Sequence, residues 1–383
     1  MLDAFDVMLW ALVLPAVMSE FRLDAGQAGQ LGSLTLLASA AGGALFGVAA
    51  DRVGRVPALV ASILLYSVFT AATGLAGSVA QLAVFRVALG LGMGGEWACG
   101  AALVSETWPA KHRGKALGIV QSAWAVGYAA AAVVTAIVLP VWGWRAVFFV
   151  GIAPAVLTLF VRRHVPESAL WLAASARAAP VDRTAFLRAP LLHRTLVLTL
   201  MNACTMFAWW GFNLWIPSYL SLPPEGGGIG LSVASMSALI VVMQVGMWLG
   251  YVTFGFVSDA FGRRRTYVTY LVGAAVAVLA FTTAERVVVL VLLGPVVAFL
   301  GTGYFSGFGA VTAEIYPTAV RATAQGVTYN VGRVVSALAP FLVGTLADER
   351  GFATAFLSVS VAFVLAAVCW RWIPETGGRA LAR

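Results

Sequence analysis

The stretch GVAADRVGR, Gly47 to Arg55, interrupts a long apolar run with one acid and two bases. It is written twice, since GFVSDAFGR begins at Gly255, 208 positions further on. Outward from it the chain is apolar: of 383 residues, 61% are hydrophobic and 10% charged, where a soluble domain carries about 25% charged residues. A soluble enzyme of this length would have to hide more apolar side chain than a core holds, so the composition points to a polytopic membrane protein. A bilayer admits only helices or closed barrels. Barrels alternate apolar and polar with period two, whereas this chain has continuous runs of about twenty apolar residues, the length that crosses ~30 Å of hydrocarbon.

Twelve such runs are expected, at 1–20, 25–50, 57–77, 79–106, 114–139, 144–163, 194–221, 231–257, 266–284, 286–312, 319–347 and 352–373. The fold class is thus an all-α membrane protein. A polar interlude at 164–193, with Arg177, Asp182, Arg183 and Arg188, separates a first six-helix bundle, 1–163, from a second, 194–373, and 374–383 forms a tail. Met1 leads straight into LDAFDVMLWALVLPAVM, without a basic n-region or small-residue cleavage site, so no cleavable leader is expected.

The basic residues alternate between loops. Eighteen of the 24 Lys and Arg fall in one set: Arg52 and Arg55, Lys111 to Lys115, the 162–194 segment, Arg263 to Arg265, Arg321 and the tail. The positive-inside rule puts that set, and both termini, in the cytoplasm of a multi-pass protein in the cell membrane. The net charge of +8 is then a topology signal rather than a nucleic-acid footprint. Cys99, Cys204 and Cys369 sit singly in apolar segments and read as packing residues. The sequence has no P-loop, zinc motif or nucleophile elbow, so no enzyme activity, metal or cofactor is expected.

The 208-residue offset recurs. SETWPAKHRGKALG from Ser105 is echoed by AEIYPTAVRATAQG from Ala313, and PES at Pro166 by PET at Pro374. Two halves related by an axis along the membrane normal are a transporter architecture, with the substrate site between them near the midplane.

On these residues the chain resembles the major facilitator superfamily over its whole length. GxxxDRxGR between spans 2 and 3 resembles that superfamily's best-known signature, and FRVALGLGMGG in span 4 its second. PESALWL and PETGGRAL resemble sugar-porter endings. GGEW and ETWPAKHRGKALG are similar to the sialate and carboxylate:proton symporters. The resemblance implies two pseudo-symmetric six-helix halves, alternating access, and a proton and a small molecule as partners, acting as a monomer in the bilayer.

A gate at the cytoplasmic side is expected from the repeated phrases: Gly47, Asp51, Arg52 and Arg55 with Glu106, Arg113 and Glu167, and Gly255, Asp259 and Arg263 with Glu314, Arg321 and Glu375. Glycine lets helices approach closely. Asp51 and Asp259 are each placed to meet the positive N-terminus of a helix in the other half. The alternative is that these charges only mark topology and anchor loops.

Ionisable residues within a span are costly and mark function. Asp6 resembles the span 1 aspartate of sugar porters and sialate carriers; as the chain stands it lies close to the cytoplasmic end of its span, and with the further apolar residues that family members carry before this point it would sit near mid-bilayer. Arg86 in span 4 cannot shed its proton and needs a partner; Asp6 is the expected one, as a proton-coupling switch or as a static buried pair. The second half has Leu214 and Gly294 at the matching positions, so the pair was not duplicated. Glu96, with Asp3 as its neighbour, is a second proton site or a packing carboxyl. Arg333 in span 11 is the one basic residue inside the second half, and a guanidinium grips a carboxylate through two hydrogen bonds; a gate or packing role is the alternative. Further substrate contacts are expected from Gln121, Asn202, Trp209, Trp210, Asn213, Gln244, Tyr304, Tyr329 and Asn330. The reading is proton-coupled symport of a small organic anion (a monocarboxylate, sialate or aromatic acid). A sugar or polyol:proton symporter is the alternative.

Overall fold

The computed structural model describes residues 1–107, 113–168, 172, 187–189, 191–284, 286–317 and 321–377; the side chains of some helical positions, among them Glu106, Arg113 and Arg321, are also outside that description. The gate roles expected of those three side chains, and most of the interlude at 164–193, therefore lie outside the described residues.

Nine stretches of the described chain are long and apolar enough to cross a membrane, and helix α4, Val79–Thr107, is a tenth. Two of the nine, 39 residues from Gly118 to Val156 and 46 residues from Ala324 to Cys369, are too long for one crossing. Each turns back at a glycine with positive φ, Gly143 at 76° and Gly351 at 80°. Twelve crossings result. The first six use α1 (Leu2–Phe21), α2 (Ala25–Val53), α3 (Arg55–Thr73), α4, α5 (Arg113–Val150) and α6 (Ala153–His164). The second six use α7 (Leu191–Asn213), α8 (Ile216–Ser221), α9 (Val233–Phe261), α10 (Arg263–Thr282), α11 (Val287–Thr302), α12 (Phe305–Ile315), α13 (Arg321–Ser336) and α14 (Ala339–Cys369). Spans 6, 7, 10 and 11 are each broken in two. Pro217 and Pro340 stand in the first turns of α8 and α14, where a missing N–H leaves no bond unmade.

The duplication is structural as well as textual. The hinge glycines 143 and 351 are 208 residues apart, and so are Gly54 and Gly262, which end α2 and α9 with φ of 110° and 90°. A methyl group on Gly42 would run into the Leu91 backbone, where α2 crosses α4. At the same offset, one on Gly250 would run into Phe299, where α9 crosses α11. Both contacts are the close backbone approach that small residues permit between membrane helices.

Helix α1 is wrapped by protein: every residue from Asp3 to Leu14 is buried. Its start is deep. The Met1 carbonyl packs against Gly127, fourteen residues and about 21 Å along α5 from Arg113. Asp6 is therefore well inside the helix bundle, the deeper of the two depths that the sequence leaves open for it.

Between the halves, α2 runs beside α13 and α14. At the face opposite the basic loops the seam is closed. The Gly26 N–H donates to Asp348 Oδ2 at 2.8 Å, and the Phe341 N–H donates to Ser33 Oγ at 3.2 Å. At the basic face the same helices part. Among the described residues no atom lies within 4 Å of where a Cβ would stand on Gly47, Gly118, Gly255 or Gly326. Among the described residues the seam is open toward the basic face and shut at the other.

Candidate transport site

In the first half, buried polar groups gather where α1, α3 and α4 meet. Asp6 is fully buried; the Thr70 hydroxyl donates to its Oδ2 at 3.1 Å, and its Oδ1 has no hydrogen-bond partner. Asp3 and Glu96 are its electrostatic neighbours. Glu96 in turn lies against Asp3 and Tyr66. Two of these neighbours, Tyr66 and Glu96, sit eleven residues, about 17 Å, from the basic ends of α3 and α4. Three carboxyl groups and two hydroxyls thus lie near one another at mid-depth; the hydrogen bond described among them is Thr70 to Asp6, and Asp6 Oδ1, Glu96 Oε2 and the Tyr66 hydroxyl are buried without a partner.

Arg86 is 1% exposed, and no ion pair forms between it and Asp6. Its guanidinium lies over the Trp10 ring, 4.5 Å from the centroid, with Nε and Nη1 unpartnered. The expected direct pair is not made because Trp10, one turn beyond Asp6 on the same face of α1, occupies the space beneath the arginine. A cation over an indole is itself favourable. It leaves the carboxyl free to take the Thr70 hydroxyl.

In the second half, Arg333 is 7% exposed at mid-depth on α13. Its Nη1 donates to Ser39 Oγ of α2 at 3.2 Å, its guanidinium stands 5.3 Å from the Tyr329 ring centroid, and Nε is buried without a partner. No acidic side chain pairs with it among the described residues. Gln121 of α5 lies near Tyr251 of α9, across the halves. Gln244 is buried with Oε1 unpartnered.

Other expected contacts are spent on holding helices. The Asn202 amide donates to the carbonyls of Thr328 and Tyr329 at 3.4 and 3.3 Å, tying α7 to α13. The Asn213 amide donates to the Trp209 carbonyl at 3.0 Å, the Asn330 amide to the Gly326 carbonyl at 2.9 Å, and the buried Tyr304 hydroxyl to the Thr205 carbonyl at 3.3 Å. Side chains that sequence reasoning ranked by type alone are here using that type to satisfy backbone.

Trp209 and Trp210 are joined by a residue the sequence reading missed, Trp124 of α5. Its ring meets theirs edge-on across the halves, at 5.4 and 6.2 Å between centroids. The indole N–H groups of Trp124 and Trp209 are buried and unpartnered. Ser39 was likewise passed over. A serine or tryptophan in an apolar span carries no sign of which way it faces; only its 3.6-residue phase against a known neighbour would have singled it out.

At the basic face the duplicated phrases build the same cluster twice. Asp51 accepts from Arg55, and Asp259 pairs with Arg263 at 2.6 Å. Glu167 accepts from the Val56 N–H at 3.0 Å, and Glu375 from the Arg263 and Arg264 N–H groups at 2.9 and 3.0 Å, so each caps the helix that follows its phrase. Arg263 also pairs with Glu314 at 3.0 Å, and the Thr376 hydroxyl donates to the same carboxylate at 2.6 Å. Although partial burial works the other way, the backbone N–H groups of Gly377, Arg264, Arg263 and Thr376 hold the Glu375 carboxyl below its ordinary value. Asp51 and Asp259 were expected against helix N-termini of the opposite half. Their side chains are 70% and 69% exposed, and the ion pairs described for them, Asp51 with Arg55 and Asp259 with Arg263, lie within their own half.

The Major Facilitator Superfamily description matches residues 1–224 and again residues 220–382. A cis,cis-muconate transport protein of Acinetobacter baylyi is 33% identical over 96% of this chain and 90% of its own length. A sialic acid transporter of Escherichia coli is 31% identical over 94% of this chain and 88% of its own. Among solved structures, the xylose transporter of Escherichia coli in a partially occluded, inward-open conformation superposes with a TM-score of 0.80 at 19% identity, over 99% of this chain and 96% of that one.

Proposed function

The chain belongs to the Major Facilitator Superfamily and is a transporter, and we propose that it carries a small organic carboxylate together with protons by alternating access. Arg333 carries this reading: a guanidinium held at mid-depth on the boundary between the halves, with no acidic partner among the described residues. A buried cation of that kind is costly unless something anionic compensates it. Tyr329 beside it, and the Trp124–Trp209–Trp210 cluster that bridges α5 and α7 across the halves, suit the flat or apolar body of an organic acid. The relatives that transport muconate and sialic acid both move carboxylates.

Asp3, Asp6 and Glu96 are the proton-carrying groups in this reading, with Arg86 held ready on Trp10. The basic face is the cytoplasmic one, the protein sits in the cell membrane with both termini inside, and one chain suffices. The twin clusters around Asp51 and Asp259 re-form across the halves when the cytoplasmic side closes. The interlude at 164–193 links the bundles 1–163 and 194–373.

The test is ligand binding to purified protein at fixed pH, comparing benzoate, cis,cis-muconate, nicotinate and N-acetylneuraminate with their amides. Arg333→Lys, whose ammonium cannot reproduce the planar two-bond grip, weakens acid binding roughly ten- to a hundred-fold, the worth of a charge-assisted bond. Arg333→Gln weakens it further. Amides that bind the wild type as well as the acids do, with no effect of either substitution, overturn the reading in favour of a neutral sugar or polyol.

A further inference from the structure

The Ser39–Arg333 bond has a place in the seam that gives it a second use. Ser39 is at the middle of α2, and its backbone is fixed: a methyl group on Gly94 of α4 would collide with the Ser39 carbonyl. Ser39 therefore moves with the first half as one body, and Arg333 with the second. Read from the closed face, the contacts between α2 and its partners run Gly26 to Asp348, Ser33 to Phe341, and Ser39 to Arg333. A Cβ on Gly43 would stand 3.5 Å from Asn330 Oδ1, and beyond that, at Gly47, the helices have parted. Among the described residues, Ser39 to Arg333 is the last hydrogen bond of this seam before it opens into the cavity.

An arginine offers a carboxylate two bidentate edges, Nε with Nη2 and Nη1 with Nη2. In this conformation one N–H of Nη1 is spent on Ser39, and Nε is buried away from solvent without a partner.

We propose that Ser39 is a release element: closing the outer seam brings its hydroxyl onto Arg333 Nη1, where it competes with the carboxylate for that nitrogen, and so lowers anion affinity on the cytoplasmic side. The inference rests on the reading that Arg333 binds the carboxylate and that the basic face is cytoplasmic. When the halves rock the other way, α2 leaves α13, Ser39 withdraws with it, and the full fork is presented to an anion arriving from outside. Binding is then tight where the solute enters and weak where it leaves. No bond within the site needs to be strained to achieve it, because the competitor is delivered by the same motion that opens the cytoplasmic side.

The experiment compares apparent affinity from the two sides in proteoliposomes of defined orientation, using the acids and amides named above. Ser39→Ala removes the competitor. It lowers the cytoplasmic-side KM for the acid roughly three- to ten-fold, a fraction of one charged hydrogen bond, leaves the outer-side KM in place, and slows net uptake because release is slower. Ser39→Thr keeps a hydroxyl and retains the wild-type ratio of the two KM values. A structural role for Ser39 would instead lower thermal stability and weaken both sides alike; that result, or a cytoplasmic KM that is unchanged or raised in Ser39→Ala, overturns the proposal. Arg333→Gln separates the two levels. If it abolishes the preference for acid over amide while Ser39→Ala leaves sidedness untouched, the release role fails and the carboxylate site stands. If Arg333→Gln leaves that preference intact, or if none of the acids binds, the site itself fails and the release role with it.

Discussion

Replacing Asp348 by Asn should loosen the closed face of the molecule and nothing else. The carboxylate reaches across from α14 to accept the Gly26 N–H in the first turn of α2, at 2.8 Å. That N–H is one of the groups a helix leaves unsatisfied at its start, and the helix dipole adds attraction for a negative charge there. A charge-assisted hydrogen bond is worth ~1.5–3 kcal/mol at best, but Asp348 is exposed, and solvent reduces such a contact to ~1 kcal/mol. The bond joins the halves only while this face is shut, so its loss moves the equilibrium between the two conformations by that amount, roughly five-fold toward opening here. The readout is the rate at which a membrane-impermeant maleimide modifies a cysteine placed at Ala25, which is buried in the seam with its carbonyl against Gly344, in a background lacking the three native cysteines. The rate should rise about five-fold in Asp348→Asn. Asp24 is the control: it caps its own helix, accepting from the Gln27 N–H at 2.6 Å, so Asp24→Asn should weaken α2 without the same gain in reactivity. An unchanged rate for Asp348→Asn, or an equal rise for Asp24→Asn, would mean that the contact does not hold the halves together.

Two further outcomes are expected. Asp6→Asn should abolish proton-driven accumulation while sparing exchange of labelled for unlabelled solute, and full concentrative uptake by that variant would remove Asp6 from coupling. Gly42→Ala and Gly250→Ala should each destabilise the purified protein by about 1–3 kcal/mol, the usual cost of forcing a methyl into a filled contact, measured as loss of thermal stability in detergent; an unaffected variant would show that α2 and α4, or α9 and α11, do not pack as closely as described.

What was legible in the sequence was what repeats. The phrase at Gly47, the 208-residue offset and the alternation of basic loops give twelve crossings in two matched halves, and the structure adds paired hinges at Gly143 and Gly351 that follow the same offset. What was not legible is rotation about each helix axis. Asp6 and Arg86 were matched by charge, but Trp10, one turn along α1, lies beneath the arginine, and Asp6 takes the Thr70 hydroxyl. Asn202 and Tyr304 looked like solute contacts because of what they can bond, whereas their neighbours decide what they do bond. Ser39 and Trp124 are ordinary members of apolar spans until the opposite half is in place.

The glycine-packed helix α2 is also a single rod that reaches both faces, 29 residues from Ala25 to Val53. Its Gly26 end is tied to Asp348, and its Gly47 end stands clear of the other half. Because one rod carries both ends, the rotation that frees Gly26 is also the rotation that swings Gly47 toward the other half. A seam built from separate helices at the two faces would let one side open before the other sealed, and ions would leak through in the interval. One rod ties the two events to one angle, which is what keeps a carrier from becoming a channel.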